Sequence, residues 1–491
     1  MRFSLKNRNL NYPLIIVFTV FGIIFSLISI PNHYFLRTSA LDLGMFNHAI
    51  YQFAHFKMAD FTLGTKGHVV PYLGDHFSLI TILISPLYYL FGTYTLLIVQ
   101  VFSIIFGGLG IYKYSKLYEN NKLITIFVIQ FFSIWGIYSA LSFDFHTNVL
   151  AAMFVVWFIY YYTLGLKLQT LVFFVLILIS KENMALWLIF ILIGLMLKGG
   201  LKRYKDWFRY EIPLILFCVI YFAIIMGIIM PNLLDGKGYN QLNRYASLGT
   251  TLSEILSNII YHPWNTIKLL WVNTNSNPNL DNIKVDTYLM ILYSGGIALI
   301  ARPYYLVMLI PIIAQKMFSS SPGMWSLKAQ YSIEFVPIIS LAFIDFSTSI
   351  KSKAVKTILI YIITAGTIIS TFSKLDRRKG PFKINNIRFY QKQHYTSQLN
   401  IKEINKGLKL IPENANLSSH SRLAPHLAFR DTIFLFPHIH NADYIALITK
   451  NAGTYPLKKK SFIKKVSTLR SNDKWKIIHD HNDLLILKRK D

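Results

Sequence analysis

The sequence predicts a mainly α-helical integral membrane protein of about eleven spans, with a large first extracytoplasmic loop and a small soluble α/β domain at its C-terminal end. Three observations carry this fold class. Of 491 residues, 53% are hydrophobic and mean hydropathy is +0.42, which places the chain outside the range of soluble globules. Basic clusters punctuate the apolar runs at intervals that suit membrane crossings. Beyond Ser373 the long apolar runs stop and charge rises.

Lipid offers no partners for backbone polar groups, so each crossing needs a helix of about 20 apolar residues. The first run is preceded by the basic MRFSLKNRN and followed by no small-residue cleavage site, which makes it a retained helix and not a signal peptide. The clusters Arg2/Lys6/Arg8, Lys113/Lys116/Lys122, Lys202/Arg203/Lys205/Arg209 and Lys351/Lys353/Lys356 are expected to stay cytoplasmic. Satisfying them all predicts helices near 12–30, 93–112, 123–141, 147–165, 169–180, 184–197, 212–230, 287–301, 303–318, 331–349 and 357–373. The N-terminus then lies inside and the C-terminus outside. The stretch 169–197 reads as two short legs with Ser180-Lys181-Glu182-Asn183 at an external tip, because one long crossing would push KGGLKRYKDWFR outside.

Two domains follow, 1–373 in the membrane and a basic α/β domain at 374–491 outside, with strand-like "DTIFLFP", "DYIALITK" and "DLLILKRK". The basic charge of the tail suits anionic head groups or a phosphorylated substrate, and equally suits a solvated surface. The single cysteine, Cys218, excludes a disulfide within one chain. The tail histidines His420, His426, His438 and His440 match no zinc spacing. No nucleic-acid partner is expected. The Lys, Asn and Ile bias is that of an AT-rich bacterial genome, and the expected location is a bacterial cytoplasmic membrane, with its lipids as neighbours.

With only 23 Asp and Glu in the chain, acids near the membrane call for an explanation. Asp42, Asp75, Asp144 and Glu182 all fall on the predicted outer face. A carboxylate there suits the deprotonation of an acceptor hydroxyl that attacks a lipid-linked sugar phosphate at its anomeric carbon. Lys181, Arg37, His76 and His146 are available at the same level for the leaving phosphate. Asp42 equally suits a helix N-cap, since "SALD" precedes "LGMFNHAIYQFAHF".

The stretch "DHFSLITILISPLYYLFGTYTLLIVQ", with His76 and Leu90-Phe91-Gly92, resembles the first-loop pattern of the GT-C glycosyltransferases of the protein mannosyltransferase and aminoarabinose transferase type. Phe77-Ser78 stands where those enzymes have two prolines. A closer resemblance is to a family of prokaryotic membrane proteins, domain of unknown function 2079, which is grouped with them. It is carried by Asp42-Leu43-Gly44-Met45-Phe46, His76-Phe77-Ser78, Phe143-Asp144-Phe145-His146, Lys181-Glu182 and Pro425-His426-Leu427 with Arg430. The resemblance implies a GT-C-like bundle, Asp42 as catalytic base and Asp144 as the second acid.

The expected activity is transfer of a sugar from a polyprenyl-phosphate donor to an extracytoplasmic acceptor, with inversion. Catalytic roles fall to Asp42 and Asp144, and donor-phosphate contacts to Lys181, His76, His146 and Arg37. Glu182, Asp75, Tyr239, Arg244, Gln330 and Tyr331 are further candidates around substrate. Several alternatives stay open. His146 suits the donor phosphate, a pair with Asp144, or an interfacial cap, and Lys181 and Glu182 suit mutual neutralisation. Asp42, Asp144 and His146 are ligand types for a divalent cation, at no recognised metal spacing. The rival functions are a membrane transporter or lipid flippase, and a non-catalytic scaffold of the GT-C fold. Transporters usually carry paired halves with broken helices, and the sequence shows no such symmetry.

Overall fold

The computed structural model describes residues 12–119, 122–235, 240–275, 277–377 and 387–490. The predicted site residue Tyr239 lies outside them. The chain is mainly helical with one mixed sheet near its C-terminal end.

Among the described residues, six helical stretches are long and apolar enough to cross a membrane: Tyr12–Tyr34, Ile80–Ser115, Leu201–Leu233, Pro278–Ala301, Gln330–Thr348 and Lys353–Ser373. A bent pair, Lys122–Ser133 with Trp135–Leu141 at 46°, makes a seventh if it is one span. The other stretches expected to cross are shorter helices, Thr147–Thr163, Lys167–Leu178, Met184–Gly199 and Pro303–Met317, of 12 to 17 residues each. By length, six to seven of the eleven stretches read from charge therefore qualify as spans among the described residues.

Small residues set how tightly the bundle packs. On Thr95–Ser115, a Cβ at Gly107 would sit 2.5 Å from Met153 Sδ, and one at Gly108 would sit 2.2 Å from Phe132 Cζ. Only glycine admits both neighbouring helices, an approach that membrane helices use because lipid supplies no hydrophobic drive between them. Buried polar contacts add direction. Gln130 donates to the Ser294 carbonyl at 2.7 Å and accepts from the Ser340 hydroxyl at 2.8 Å.

Two ends of the bundle are marked by charge. At one end Lys198 pairs with Asp345 at 2.6 Å, Arg302 reaches the same carboxylate at 3.4 Å, and Lys356 pairs with Glu119. Arg203 pairs with Glu211 there, beside Tyr162 at the close of Thr147–Thr163. Lys167 joins Tyr210 at this end too, so Lys167–Leu178 leads away from it and Met184–Gly199 returns. The reversal at 179–183 lies at the opposite end, where the Ser78 hydroxyl donates to the Ser180 carbonyl at 2.8 Å and Ile80 N–H to Ile179 at 3.0 Å.

The segment between the first two long helices folds into short elements. Ala40–Gly44 is a wide turn that runs into helix Met45–Ala54; strands β1 (Asp60–Phe61) and β2 (Val70–Pro71) pair antiparallel; Tyr72–Asp75 is a single turn. Gly92, at φ +56°, breaks the helical path before Thr95, a conformation that side-chained residues resist.

The sheet has order β4-β3-β5-β7-β6, with β3 Leu417–Ser419, β4 Ile433–Leu435, β5 Tyr444–Ile448, β6 Trp475–His481 and β7 Leu484–Arg489. β3 pairs parallel with β4 and β5, and β7 pairs antiparallel with β5 and β6. Its hydrophobic core takes in Leu36, Ala40 and Leu63, so this unit is seated on the loop that follows the first helix. Polar contacts fix the seat. Asn47 donates to the Pro425 carbonyl at 3.0 Å, His48 Nδ1 lies 3.1 Å from Ala428 O, and Lys57 pairs with Asp431 at 2.6 Å.

Candidate functional site

The Ala40–Gly44 turn and the 142–146 loop place Asp42, Asp144 and His146 together at the end of the bundle where the 179–183 reversal lies. Ser39, in extended conformation, occupies the cap position of the turn, so Asp42 is not the N-cap. Its carboxylate instead accepts from the Ser39 hydroxyl at 3.0 Å and faces His146 Nε2 at 3.2 Å. The Asp42 side chain keeps 26% exposure, enough for a small group to reach it.

Asp144 is the buried partner. It adopts φ +64°, which Asp tolerates better than most residues, and its carboxyl accepts from Ser39 N–H at 2.8 Å. Gln100 holds the loop from the helix below, donating to the Asp144 carbonyl at 2.8 Å and accepting from His146 N–H at 3.0 Å. Burial, with the Asp42 charge beside it, pushes the Asp144 carboxyl up to about 8. Burial lowers the His146 pKa, outweighing the Asp42 hydrogen bond that raises it, and Lys181 and His76 lower it further. A neutral imidazole with its proton on Nε2 therefore donates to Asp42, while Nδ1 is buried with no hydrogen-bond partner among the described residues.

A second pair stands across the Phe46 ring, whose centroid is 6.1 Å from that of His146 and 5.9 Å from that of His76. His76 Nδ1 meets Asp75 Oδ2 at 2.6 Å. Burial opposes ionisation of Asp75, yet His76, with the charges of Lys181 and Arg244, holds its pKa below the ordinary value. No ion pair joins Lys181 to a carboxylate among the described residues. Its charge acts on Asp75 and on His146, one member of each His-Asp pair. Glu182 is buried near Tyr72 and Tyr221.

Arg37 is not gathered into this group. Its guanidinium donates to the Thr396 carbonyl at 2.8 Å and lies close enough to Arg422 to have its pKa lowered, after burial, by that charge. Arg244 is held by its carbonyl, which accepts from Ser320 N–H at 2.6 Å. Gln330 is buried, and Tyr331 lies near Tyr245. The sheet unit adds Tyr455, whose hydroxyl is raised by burial and then by the charge of Asp42.

Sequence reasoning missed Ser39 and Gln100, which position the acids, and the buried pair Lys316–Glu334 at 3.0 Å, to which Asn148 adds a hydrogen bond of 2.9 Å. Lys316 feels the charge of Lys181, so this pair backs the same end of the bundle. A Glu immediately before a membrane helix, 18 positions from a Lys in the last turn of another, was the available signal.

Asp42, Asp144 and His146 meet through hydrogen bonds, and no group of three or more His, Cys, Asp and Glu among the described residues is arranged to hold a metal. The tail histidines have other partners. His420 Nε2 lies 2.8 Å from Gly453 O, His438 Nε2 lies 2.9 Å from Thr65 O, and His426 stacks on His33 with centroids 3.9 Å apart.

The model of a family described as "Predicted membrane protein (DUF2079)" matches residues 32–486. No curated protein matches the chain.

Proposed function

Because this chain belongs to the DUF2079 family of predicted membrane proteins, and its matched span runs through both the helical bundle and the sheet unit, we propose that it is a membrane glycosyltransferase of the GT-C type. It takes a sugar from a polyprenyl phosphate and passes it to an acceptor hydroxyl, and Asp42 is the general base. The observation that carries this reading is a partly exposed carboxylate, held by Ser39 and His146, at the end of an apolar bundle where the Lys181 ammonium is near enough for its charge to act on His146.

In the proposed reaction Asp42 takes the proton of the acceptor hydroxyl as its oxygen bonds to the anomeric carbon. The bond from that carbon to the phosphate oxygen breaks with inversion, and polyprenyl phosphate leaves. Lys181 and His76 face the departing charge, and Arg244 lies close behind them. Asp144, protonated near neutral pH, adds no second negative charge beside Asp42. In this reading the short helices complete an eleven-span GT-C-like bundle in a bacterial cytoplasmic membrane. The basic end stays inside and the Asp42 end faces outward.

The test is thermal stabilisation of the purified protein by a short-chain polyprenyl phosphate. Stabilisation that Lys181→Ala weakens and Asp42→Asn preserves supports the reading. Absence of stabilisation in the wild type contradicts it and moves the flippase and scaffold readings forward.

A further inference from the structure

A cavity of about 880 Å³ opens in the sheet unit between helix Lys459–Arg470 and the loop 449–454. Arg422, Lys450 and Lys459 line it along with Arg470, and the exposed Ile463 supplies apolar surface above the buried Phe462. No acidic side chain lines it among the described residues. Arg470 is already paired with Asp480 at 2.7 Å. The side chains of Arg422, Lys450 and Lys459 have no hydrogen-bond or ion-pair partner among the described residues. Arg422 is half-buried, which makes an unanswered guanidinium costly.

Neighbours of the lining residues reach toward the acid site. Ser421, one residue before Arg422, receives a 3.4 Å hydrogen bond from Ala40 N–H, two residues before Asp42. Residues 453 and 454 line the cavity, and Tyr455 follows them into the field of the Asp42 carboxylate. The volume falls within the range of small-molecule sites, about 300–1,000 Å³.

We propose that this cavity binds the phosphate-bearing part of the acceptor, a glycan or polyol chain carrying phosphodiesters, and delivers a hydroxyl of that chain to Asp42. The inference rests on the transferase reading and supplies its acceptor class. A forked guanidinium and two ammonium groups match phosphate oxygens, and Ile463 offers apolar surface to the carbon face of the chain. Thr449 and Thr454 in the same wall donate their hydroxyl protons to the Asp483 and Leu457 carbonyls, and the Asn451 amide donates to Asp483 Oδ2, which leaves their oxygens to accept from hydroxyl groups of the ligand.

The experiment is fluorescence anisotropy of a labelled hexa(glycerol phosphate) with the full chain in phosphatidylcholine nanodiscs. Neutral hexaglycerol and hexaglutamate serve as competitors. Binding is expected to weaken about tenfold in Arg422→Gln, as for a lost charged hydrogen bond, and to stay unchanged in Lys476→Gln on β6. The surface double variant Lys450→Gln/Lys459→Gln must give the same loss, which keeps the test valid if Arg422→Gln fails to fold. Asp42→Asn must bind the probe normally, so loss of transfer and loss of acceptor binding are separately visible. Equal weakening by Lys476→Gln, or competition by hexaglutamate as strong as by unlabelled probe, would overturn the proposal in favour of unspecific charge. Displacement of the probe on moving to phosphatidylglycerol nanodiscs would overturn it in favour of a lipid head group.

Discussion

His146 Nε2 lies 3.2 Å from Asp42 Oδ1, and Asp144, two residues before His146 in its own loop, shares Ser39 with Asp42 as hydrogen-bond donor. The two carboxyl groups thus differ in environment although they stand side by side. One is open, hydrogen-bonded and suited to taking a proton, and the other is driven to hold one.

The first prediction separates Asp42 from the fold. Asp42→Asn preserves the acceptor oxygen for Ser39 and removes the base, so sugar transfer falls by about 10²–10⁴-fold while the melting temperature stays near that of the wild type. Turnover and thermal melting measured on the same preparation check it.

Asp144 makes the protein's stability depend on pH. Its folded pKa of about 8 stands above the ordinary carboxylate value, so the folded state binds the extra proton and stability falls as pH rises through 8. The buried His48, His420 and His426, held down to about 4, act with the opposite sign, but only below their ordinary value of about 6.5. Between pH 7 and 8 the melting temperature is expected to drop, and Asp144→Asn is expected to flatten that slope.

The buried pair Lys316–Glu334 predicts a non-additive cycle. Lys316→Met alone leaves the Glu334 charge stranded and costs about 3–5 kcal/mol, whereas Lys316→Met/Glu334→Leu recovers most of that loss. Detergent melting curves of the two single variants and the double variant give the coupling directly.

Packing gives a further case. Gly108→Leu drives a side chain into Phe132, already 2.2 Å from a Cβ at that position, and separates the helices. Overpacking of this kind costs about 1–3 kcal/mol or more, and loss of folded protein in size-exclusion profiles is the expected result.

Asp42, Asp144, His146, His76 and Lys181 were legible in the sequence because charged and imidazole groups are rare next to long apolar runs and each must have a reason. Their supports were not. Gln100 lies in the middle of an apolar helix and Ser39 resembles any turn residue, and only the fold shows that they hold the loop and the cap. The strands at 433–435, 444–448 and 484–489 follow apolar runs and were expected, whereas the β3 run Leu417-Ser418-Ser419 and the polar β6 carry no alternation that marks a strand. The count of spans diverged because charge fixes sidedness, not helix length, and the short legs around Lys181 pack against other helices.

The most direct test of Asp42 as base is consumption of a panel of polyprenyl-phosphate sugars by the full chain, with a membrane extract as acceptor and Asp42→Asn as its pair. Release of polyprenyl phosphate from one donor by the wild type, lost in Asp42→Asn although donor binding remains, is the predicted result. Equal release by both proteins would contradict the account, as would unchanged donor with the lipid moved across the membrane.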